Sequence, residues 1–178
     1  MASFFHDQGA TVLDADRIAH DVLQRPAVVE QLVARWGAGV IDADRRPVRA
    51  EIAQRVFGVD REEELQWLES VIHPLVHHEL KEQLRQNRQL GTEFVVLDVP
   101  LLLERGWEDE CDTVLFIDTP LETRRQRAAG RGWRPGELER REGRQWSTDR
   151  KRAAADHVVE NSGNLASLHK SLAVLLED

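Results

Sequence analysis

The chain has 178 residues and a mass of 20.4 kDa, with 41% apolar and 31% charged residues, a composition typical of one soluble globular domain. Its 24 basic and 32 acidic side chains give a formal net charge of -8, which argues against a protein that coats nucleic acid or an anionic membrane with its whole surface. We predict no membrane span, signal peptide or intrachain disulfide, since no apolar stretch approaches roughly 20 residues, no basic segment opens the chain and Cys111 is the single cysteine. The composition therefore favours a cytoplasmic protein.

The first part of the chain combines one strand with several helices. Residues 11–13 form a short apolar run that predicts a strand, and helices are predicted over about 17–23 and 26–36. Pro26 suits a first helical turn and Gly37 suits a helix end. A long amphipathic helix follows, with apolar residues at helical spacing from Leu65 to Leu84, and we expect Pro74 to bend or split it.

The period of the apolar pattern changes in the second half. Residues 94–97 and 113–117 are apolar runs without alternation, each followed by an aspartate, which predicts parallel strands buried on both faces between helices. The remaining predicted elements are helices over 120–131 and 135–146, a strand over 157–159 and a helix over 165–176. The pattern predicts an α/β layered domain with a helical insertion between its first two visible strands.

The charge is unevenly distributed. Residues 124–152 contain 11 basic and 4 acidic side chains, and ten of the basic ones are arginine. Arginine binds phosphate oxygens in a bidentate manner, and the glycines within this segment indicate a mobile flap. A basic flap on an acidic chain favours a small polyanionic ligand, although a solvated helical face would also explain an isolated run of charge.

Aspartates follow three of the predicted strands. Ligands of parallel α/β sheets bind beyond the carboxyl ends of the strands, where a carboxylate can hold Mg²⁺ or orient a hydroxyl nucleophile. We expect Asp118 to cap the helix that follows it, whereas Asp14 and Asp16 exceed what one helix cap requires. For Asp98 both interpretations stay open.

Six short motifs occur in order along the chain: GATVLDADRIAH (9–20), Arg49 with Val56-Phe57, His73-Pro74, VVLDVPLLLE (95–104), Arg140-Arg141 followed by Gln145, and ADHVVENSG (155–163). Together they resemble the dephospho-coenzyme A kinase family. The resemblance implies a P-loop kinase-like parallel sheet flanked by helices, in a single domain, 1–178. Its parts would be a core of residues 1–24, 92–123 and 153–178, a substrate-binding helical insertion over 25–91 and an arginine-rich lid over 124–152.

The resemblance also implies a reaction, in which ATP with Mg²⁺ phosphorylates the ribose 3′-hydroxyl of dephospho-coenzyme A in the last step of coenzyme A synthesis. Asp16 would act as general base or orient the hydroxyl, and Asp98 would hold the metal. Substrate binding would involve Asp14, Arg49 and His73. Nucleotide binding would involve Arg127, Arg131, Arg140, Arg141, Gln145 and Asn161.

One feature of such kinases is missing from the 178 residues. A P-loop needs a glycine followed by lysine, and Lys81, Lys151 and Lys170 all follow other residues. We expect the strands 11–13 and 94–97 to be separated from 113–117 and 157–159 where the first central strand would lie. Either the natural chain extends upstream through that strand, the explanation we favour because the ligand-facing residues remain, or this is a truncated relative without catalysis.

Three other hypotheses have weaker support. A non-catalytic relative could retain binding of nucleotide or coenzyme A, and residues 124–152 could bind nucleic acid in a salt-dependent manner. His73 and His77, four apart beside His78, could share a metal on one helix face, but Pro74 interrupts the helix and no further ligand pattern completes a site. We expect no nucleic-acid or membrane partner.

Overall fold

The computed structural model of the chain describes residues 1–58 and 60–176. Contacts divide the chain into two compact units. The N-terminal unit comprises Ala2 and Phe4–Val99, and the C-terminal unit comprises the residues from Pro100 onward together with Met1 and Ser3. The predicted division into core, insertion and lid stays a prediction.

The elements up to residue 99 are, in chain order, α1 (Ala2–Asp7), β1 (Thr11–Asp14), α2 (Ala15–Leu23), α3 (Pro26–Trp36), a short 3₁₀ helix (Ala38–Val40), α4 (Arg49–Val56), α5 (Glu62–Leu90) and β2 (Val95–Asp98). From residue 100 onward they are two short 3₁₀ helices (Leu103–Arg105 and Trp107–Glu110), β3 (Leu115–Asp118), α6 (Leu121–Gly130), α7 (Glu137–Glu142), α8 (Thr148–Ala154), β4 (His157–Glu160) and α9 (Leu165–Val174). Among the described residues, no helix is long and apolar enough to cross a bilayer.

The strands form two parallel pairs, β1 with β2 and β3 with β4. These are the two groups of strands that the sequence predicts. Every residue of β2 and β3 is only half-buried, so the expected burial on both faces is wrong. The reason is that each of these strands pairs with one neighbour in the described part of the chain, and a two-stranded sheet covers less apolar surface than a wider one.

The core of the N-terminal unit consists of apolar side chains from the helices. α2 packs against α5, and Val22, Leu32 and Leu80 are at most 1% exposed. α3 has the predicted bounds, with Pro26 in its first turn and Gly37 at its end in a positive-φ conformation (φ 80°) that favours glycine. This helical layer follows β1 in the chain and connects it to β2.

α5 is one continuous helix of 29 residues that includes Pro74, so a split there is wrong, whereas the alternative, a bend at Pro74, stays a prediction. A proline in a helix interior removes one backbone hydrogen bond and costs about 3 kcal/mol. Burial of Leu65, Ile72, Leu80 and Leu84 along the same helix offsets this cost, since each large buried aliphatic side chain contributes roughly 1.5–3 kcal/mol.

The helix predicted over 135–146 is shorter in the structure. α7 covers only Glu137–Glu142, because Gly136 precedes it with φ 79° and Gly143 ends it. A second helix, α8, was missed by the sequence analysis. It begins after Ser147, whose Oγ accepts the Arg150 amide N–H at 3.2 Å as a helix cap.

Candidate active site

The strand register of the N-terminal unit brings two aspartates together. Asp14 and Asp98 are register partners at the carboxyl ends of β1 and β2. Neighbouring strands lie about 4.8 Å apart, so the two side chains belong to the same edge of the sheet. Asp16 lies in the first turn of α2, two residues beyond Asp14. We call these three residues the aspartate cluster.

Asp14 has a structural role in addition to its position. Its Oδ1 accepts the backbone N–H of Arg17 at 2.9 Å, and Asp14 is the N-cap of α2. A cap of this type stabilises a helix by about 1 kcal/mol. One cap explains Asp14 but not Asp16, which follows it in the first turn with an exposed side chain.

Asp98 is half-buried, and its environment disfavours ionisation. Burial raises the pKa of the Asp98 carboxyl, and the negative charges of Asp14 and Asp16 raise this pKa further. The edge is therefore a site of concentrated negative charge, where a cation would be stabilised.

Asp118 does not have the predicted role. It ends β3, but α6 begins only at Leu121 after Pro120, and no side chain caps that helix. The Asp118 carboxylate instead forms an ion pair with Arg152 of α8. The extended Thr119-Pro120 segment moves the helix start beyond the reach of an aspartate at position 118.

Most arginines of α6 and α7 with a described partner are neutralised within the C-terminal unit. Arg124 donates to both carboxylate oxygens of Glu142, at 2.6 and 3.2 Å, and Arg125 pairs with Glu139 at 3.0 Å. Arg141, a predicted nucleotide ligand, pairs with Glu137 at 2.8 Å and stacks 4.3 Å from the ring centre of Trp133. Arg131 and Arg140 are exposed.

Two predicted nucleotide ligands lie in direct contact. Arg127 donates from Nη2 to the side-chain oxygen of Asn161 at 3.2 Å and to the Gly163 carbonyl at 3.3 Å. Asn161 and Gly163 line a cavity that opens where β4 ends and α9 begins, together with Ser162, Ser167 and Ser171. Its lining of hydroxyl, amide and carboxylate groups can bind a polar ligand.

The two predicted substrate ligands in the insertion are exposed. Arg49 is the first residue of α4, and His73 lies within α5. Their roles stay predictions.

The sequence analysis missed three charged residues, namely Glu104, Lys151 and Arg152. Lys151 and Arg152 belong to α8, and Lys151 forms an ion pair with Glu104 at 3.0 Å. A usable signal was present, because Lys151 is the single lysine in a segment that otherwise uses arginine.

Comparison with known proteins identifies what the chain is similar to. The family model described as "CoaE: Dephospho-CoA kinase" matches residues 1–167. A dephospho-CoA kinase of Rhodopirellula baltica is 36% identical over 172 residues, which cover 96% of this chain and 80% of the relative. One of Symbiobacterium thermophilum is 37% identical over 168 residues, covering 93% and 69%.

Solved structures support the same fold. A Thermus thermophilus protein of 33% identity superposes with a TM-score of 0.76, covering 99% of this chain and 88% of its own. A dephospho-CoA kinase of Campylobacter jejuni, 19% identical, gives a TM-score of 0.71 at the same coverage. The predicted α/β fold is confirmed.

Proposed function

We propose a function from one premise: this chain belongs to the dephospho-CoA kinase family. The reaction is transfer of the γ-phosphoryl group of ATP to the ribose 3′-hydroxyl of dephospho-coenzyme A. The observation that supports it in this chain is the aspartate cluster, in which Asp14 and Asp98 share one sheet edge and Asp16 follows in α2. Burial, and then the charges of Asp14 and Asp16, raise the pKa of Asp98. Phosphoryl transfer requires positioning and charge neutralisation more than covalent chemistry.

Asp16 is the proposed general base or hydroxyl-orienting residue. Its side chain is exposed at the start of α2, so a substrate hydroxyl can reach it. As a carboxylate it accepts a hydrogen bond from the attacking hydroxyl and can take its proton when the new P–O bond forms. Asp14, which is held as the cap of α2, supports the substrate side of the same edge.

The aspartate cluster also fits Mg²⁺. This ion keeps several water ligands and binds through one or two carboxylates plus substrate phosphates, in contrast to a cage made only of protein ligands. Asp98 with Asp14, register partners at one edge, suits the first type of site. In the described residues no group of three or more histidine, cysteine or acidic side chains is arranged to hold a metal. When bound, the ion would neutralise charge on the transferring phosphate.

ATP binding is assigned to the C-terminal unit. Arg127 and Asn161 share a hydrogen bond beside a polar cavity, and we propose that both contact the nucleotide. Arg131, Arg140, Arg141 and Gln145 are the further proposed ligands. Arg141 would have to exchange the Glu137 carboxylate for phosphate, because its guanidinium already makes two hydrogen bonds to Glu137.

Recognition of the second substrate is assigned to the helical insertion. Arg49 begins α4 and His73 lies in α5, and both side chains are exposed to solvent. A guanidinium and an imidazole can bind the diphosphate of dephospho-coenzyme A.

A coupled assay of ADP release tests the proposal. With ATP, Mg²⁺ and dephospho-coenzyme A we expect turnover of about 1–100 per second, and mass spectrometry should show a phosphorylated product. Omission of dephospho-coenzyme A is the control for ATP hydrolysis. The proposal is wrong if both substrates bind but neither ADP nor phosphorylated product forms.

The alternative function is binding of nucleotide or coenzyme A without catalysis. It is the function that remains if these 178 residues, which contain no glycine-lysine pair of a P-loop, bind both substrates without turnover. Titration calorimetry together with the ADP assay separates the two functions, because only the alternative predicts binding with no turnover.

A further inference from the structure

A buried polar network lies in the C-terminal unit, outside the aspartate cluster. Glu104 Oε1 accepts the backbone N–H of Trp146 at 2.7 Å and pairs with Lys151 Nζ at 3.0 Å. Lys151 Nζ also donates to the side-chain oxygen of Gln145 at 2.8 Å. Three segments are joined in this way: a 3₁₀ helix, the loop before α8 and α8 itself.

The burial of this network argues against a role in stability alone. The side chains of Lys151 and Glu104 are 14% and 10% exposed. When two charges are removed from water, the lost hydration free energy is seldom fully recovered by their mutual attraction. Apolar side chains of similar volume often stabilise a fold at least as much as such an ion pair does. Glu104 Oε2 is buried without a hydrogen-bond partner among the described residues. We therefore expect this pair to fix the arrangement of the segments that it joins.

The carboxyl of Glu104 is kept ionised in spite of its burial. Burial acts to raise the pKa of Glu104, but hydrogen bonds from the Trp146 amide, its own amide and Lys151 outweigh it and leave the pKa below its usual value. The pair is therefore a genuine charge pair at neutral pH.

The network also determines which way the Gln145 carboxamide faces. An ammonium group has donors and no acceptor, so the atom of Gln145 beside Lys151 Nζ must be the carbonyl oxygen. The amide nitrogen, with two N–H donors, is left for another partner.

Neighbouring contacts hold the same segment from its other side. The Arg150 guanidinium stacks 3.3 Å from the ring centre of Trp146, and Ser147 caps α8. Arg152, one residue after Lys151, pairs with Asp118 at the end of β3. The loop before α8 is thus attached through Trp146 and Gln145, and α8 itself is attached to β3 through Arg152.

We propose that Glu104 and Lys151 are a positioning pair that holds Gln145 with its N–H groups, and not its oxygen, directed to a hydrogen-bond acceptor of the nucleotide. The inference deepens the proposed function and rests on it, since Gln145 is among the residues assigned to ATP. It predicts that the Gln145 N–H groups donate to a ring nitrogen or an oxygen of the nucleotide. It also predicts that Gln145 accepts no hydrogen bond from the amino group of the base.

Hydrogen exchange tests the anchoring independently of activity. In Lys151→Met we expect the amide of Trp146 to lose protection, measured by mass spectrometry of the peptide that contains it. Lys151→Arg retains a buried cation and should restore protection. Lys170→Met is the matched control, because Lys170 is exposed on α9 of the same unit. Unchanged exchange in Lys151→Met would overturn the anchoring.

Kinetics separate positioning from general destabilisation. Loss of the ordered Gln145 should raise the KM for ATP about 3- to 10-fold in Lys151→Met, the range expected for one hydrogen bond from a neutral amide. The KM for dephospho-coenzyme A should stay unchanged, and Lys151→Arg should recover most of the ATP affinity. Equal increases in both KM values would contradict a positioning role.

Gln145→Glu tests the direction of the amide. Glutamate keeps the oxygen that accepts from Lys151 but has no N–H donor, so protection at Trp146 should persist while affinity falls about 10-fold. Adenosine is titrated beside ATP, because it lacks phosphates that the new charge would repel. If Gln145→Glu binds both ligands as tightly as the unmutated chain does, the inference is overturned. If the unmutated chain binds no nucleotide, the proposed function is refuted, and the hydrogen-exchange result alone decides whether Glu104 and Lys151 anchor the loop.

Discussion

The aspartate cluster and the arginine-rich segment, residues 124–152, carry charge of opposite sign, and they differ in how that charge is paired with neighbouring groups. In the aspartate cluster, burial and then the like charges of Asp14 and Asp16 raise the pKa of Asp98. In the arginine-rich segment, glutamates of α7 pair with three of the arginines: Glu142 with Arg124, Glu139 with Arg125 and Glu137 with Arg141. The first region brings like charges together, whereas the second holds some of its charge in ion pairs.

The difference indicates what each region requires of a ligand. Burial and acidic neighbours disfavour the ionised form of Asp98, and a bound cation would relieve this cost. Paired arginines cost little in the absence of ligand, but each must release its glutamate before it binds phosphate. Substitutions in the first region should therefore affect chemistry strongly, and substitutions in the second should have smaller and more selective effects.

The largest effect is expected for Asp16→Asn. The amide keeps the shape of the side chain but cannot take a proton, so turnover should fall about 100- to 10,000-fold. Asp21→Asn on the same helix is the matched control, because Asp21 is exposed and outside the aspartate cluster. Initial rates of ADP release measure both. Near-normal turnover of Asp16→Asn would show that another carboxylate performs this role.

Asp98→Asn should lower activity and raise stability together. Removal of one electrostatic contribution to phosphoryl transfer should cost about 100- to 1,000-fold in turnover. Because the folded chain raises the pKa of Asp98, the stability linked to its protonation is present below the unfolded-state value of about 4 and is lost as pH rises through the folded pKa. Asn does not ionise, so Asp98→Asn should not lose this stability as the pH rises.

Urea unfolding as a function of pH measures this effect of Asp98→Asn. The variant should be more stable than wild type at neutral pH, and the difference should vanish in acid. A variant that is less stable at neutral pH would show that the carboxylate is compensated in the folded chain, which removes the contrast between the two regions.

Arg127→Ala should weaken nucleotide binding about 10- to 100-fold, since a charge-assisted hydrogen bond contributes about 1.5–3 kcal/mol. Arg125→Ala is the control, because Arg125 on the same helix is paired with Glu139. Calorimetric titration with ATP measures both variants. If the two variants lose affinity equally, the basic segment acts through its total charge, and the specific contact of Arg127 with Asn161 is unimportant.

The smallest effect is expected for Glu142→Gln. The Arg124–Glu142 pair is about one-quarter to one-third exposed (26% and 32%), so its loss should lower the free energy of unfolding by only about 0.5–1 kcal/mol. ATP affinity should be unchanged or slightly higher, because Arg124 loses a competing carboxylate. Urea unfolding and calorimetry measure the two quantities, and a loss of ATP affinity would contradict the interpretation of this pair as structural.

Local sequence was sufficient for the elements whose signals lie within a few residues. The Pro26 and Gly37 signals determine the ends of α3, and the apolar runs identify all four strands. The aspartates at the ends of β1 and β2 were predicted to share an edge, because carboxyl ends of parallel strands coincide, and the register of Asp14 with Asp98 confirms it.

The remaining features depend on contacts between residues far apart in the chain. No local sequence pattern relates such residues, so the free energy of these contacts could not be predicted from the sequence. Packing of α5 outweighs its proline, and Asp118 pairs with Arg152, 34 residues away, instead of capping a helix. The Glu104–Lys151 pair joins residues 47 positions apart, and hydrogen bonds with Trp146 and Gln145 offset the cost of burying the two charges. Residue type and spacing identify the chemical groups of this kinase, whereas burial and long-range pairing determine which of those groups are available to a ligand.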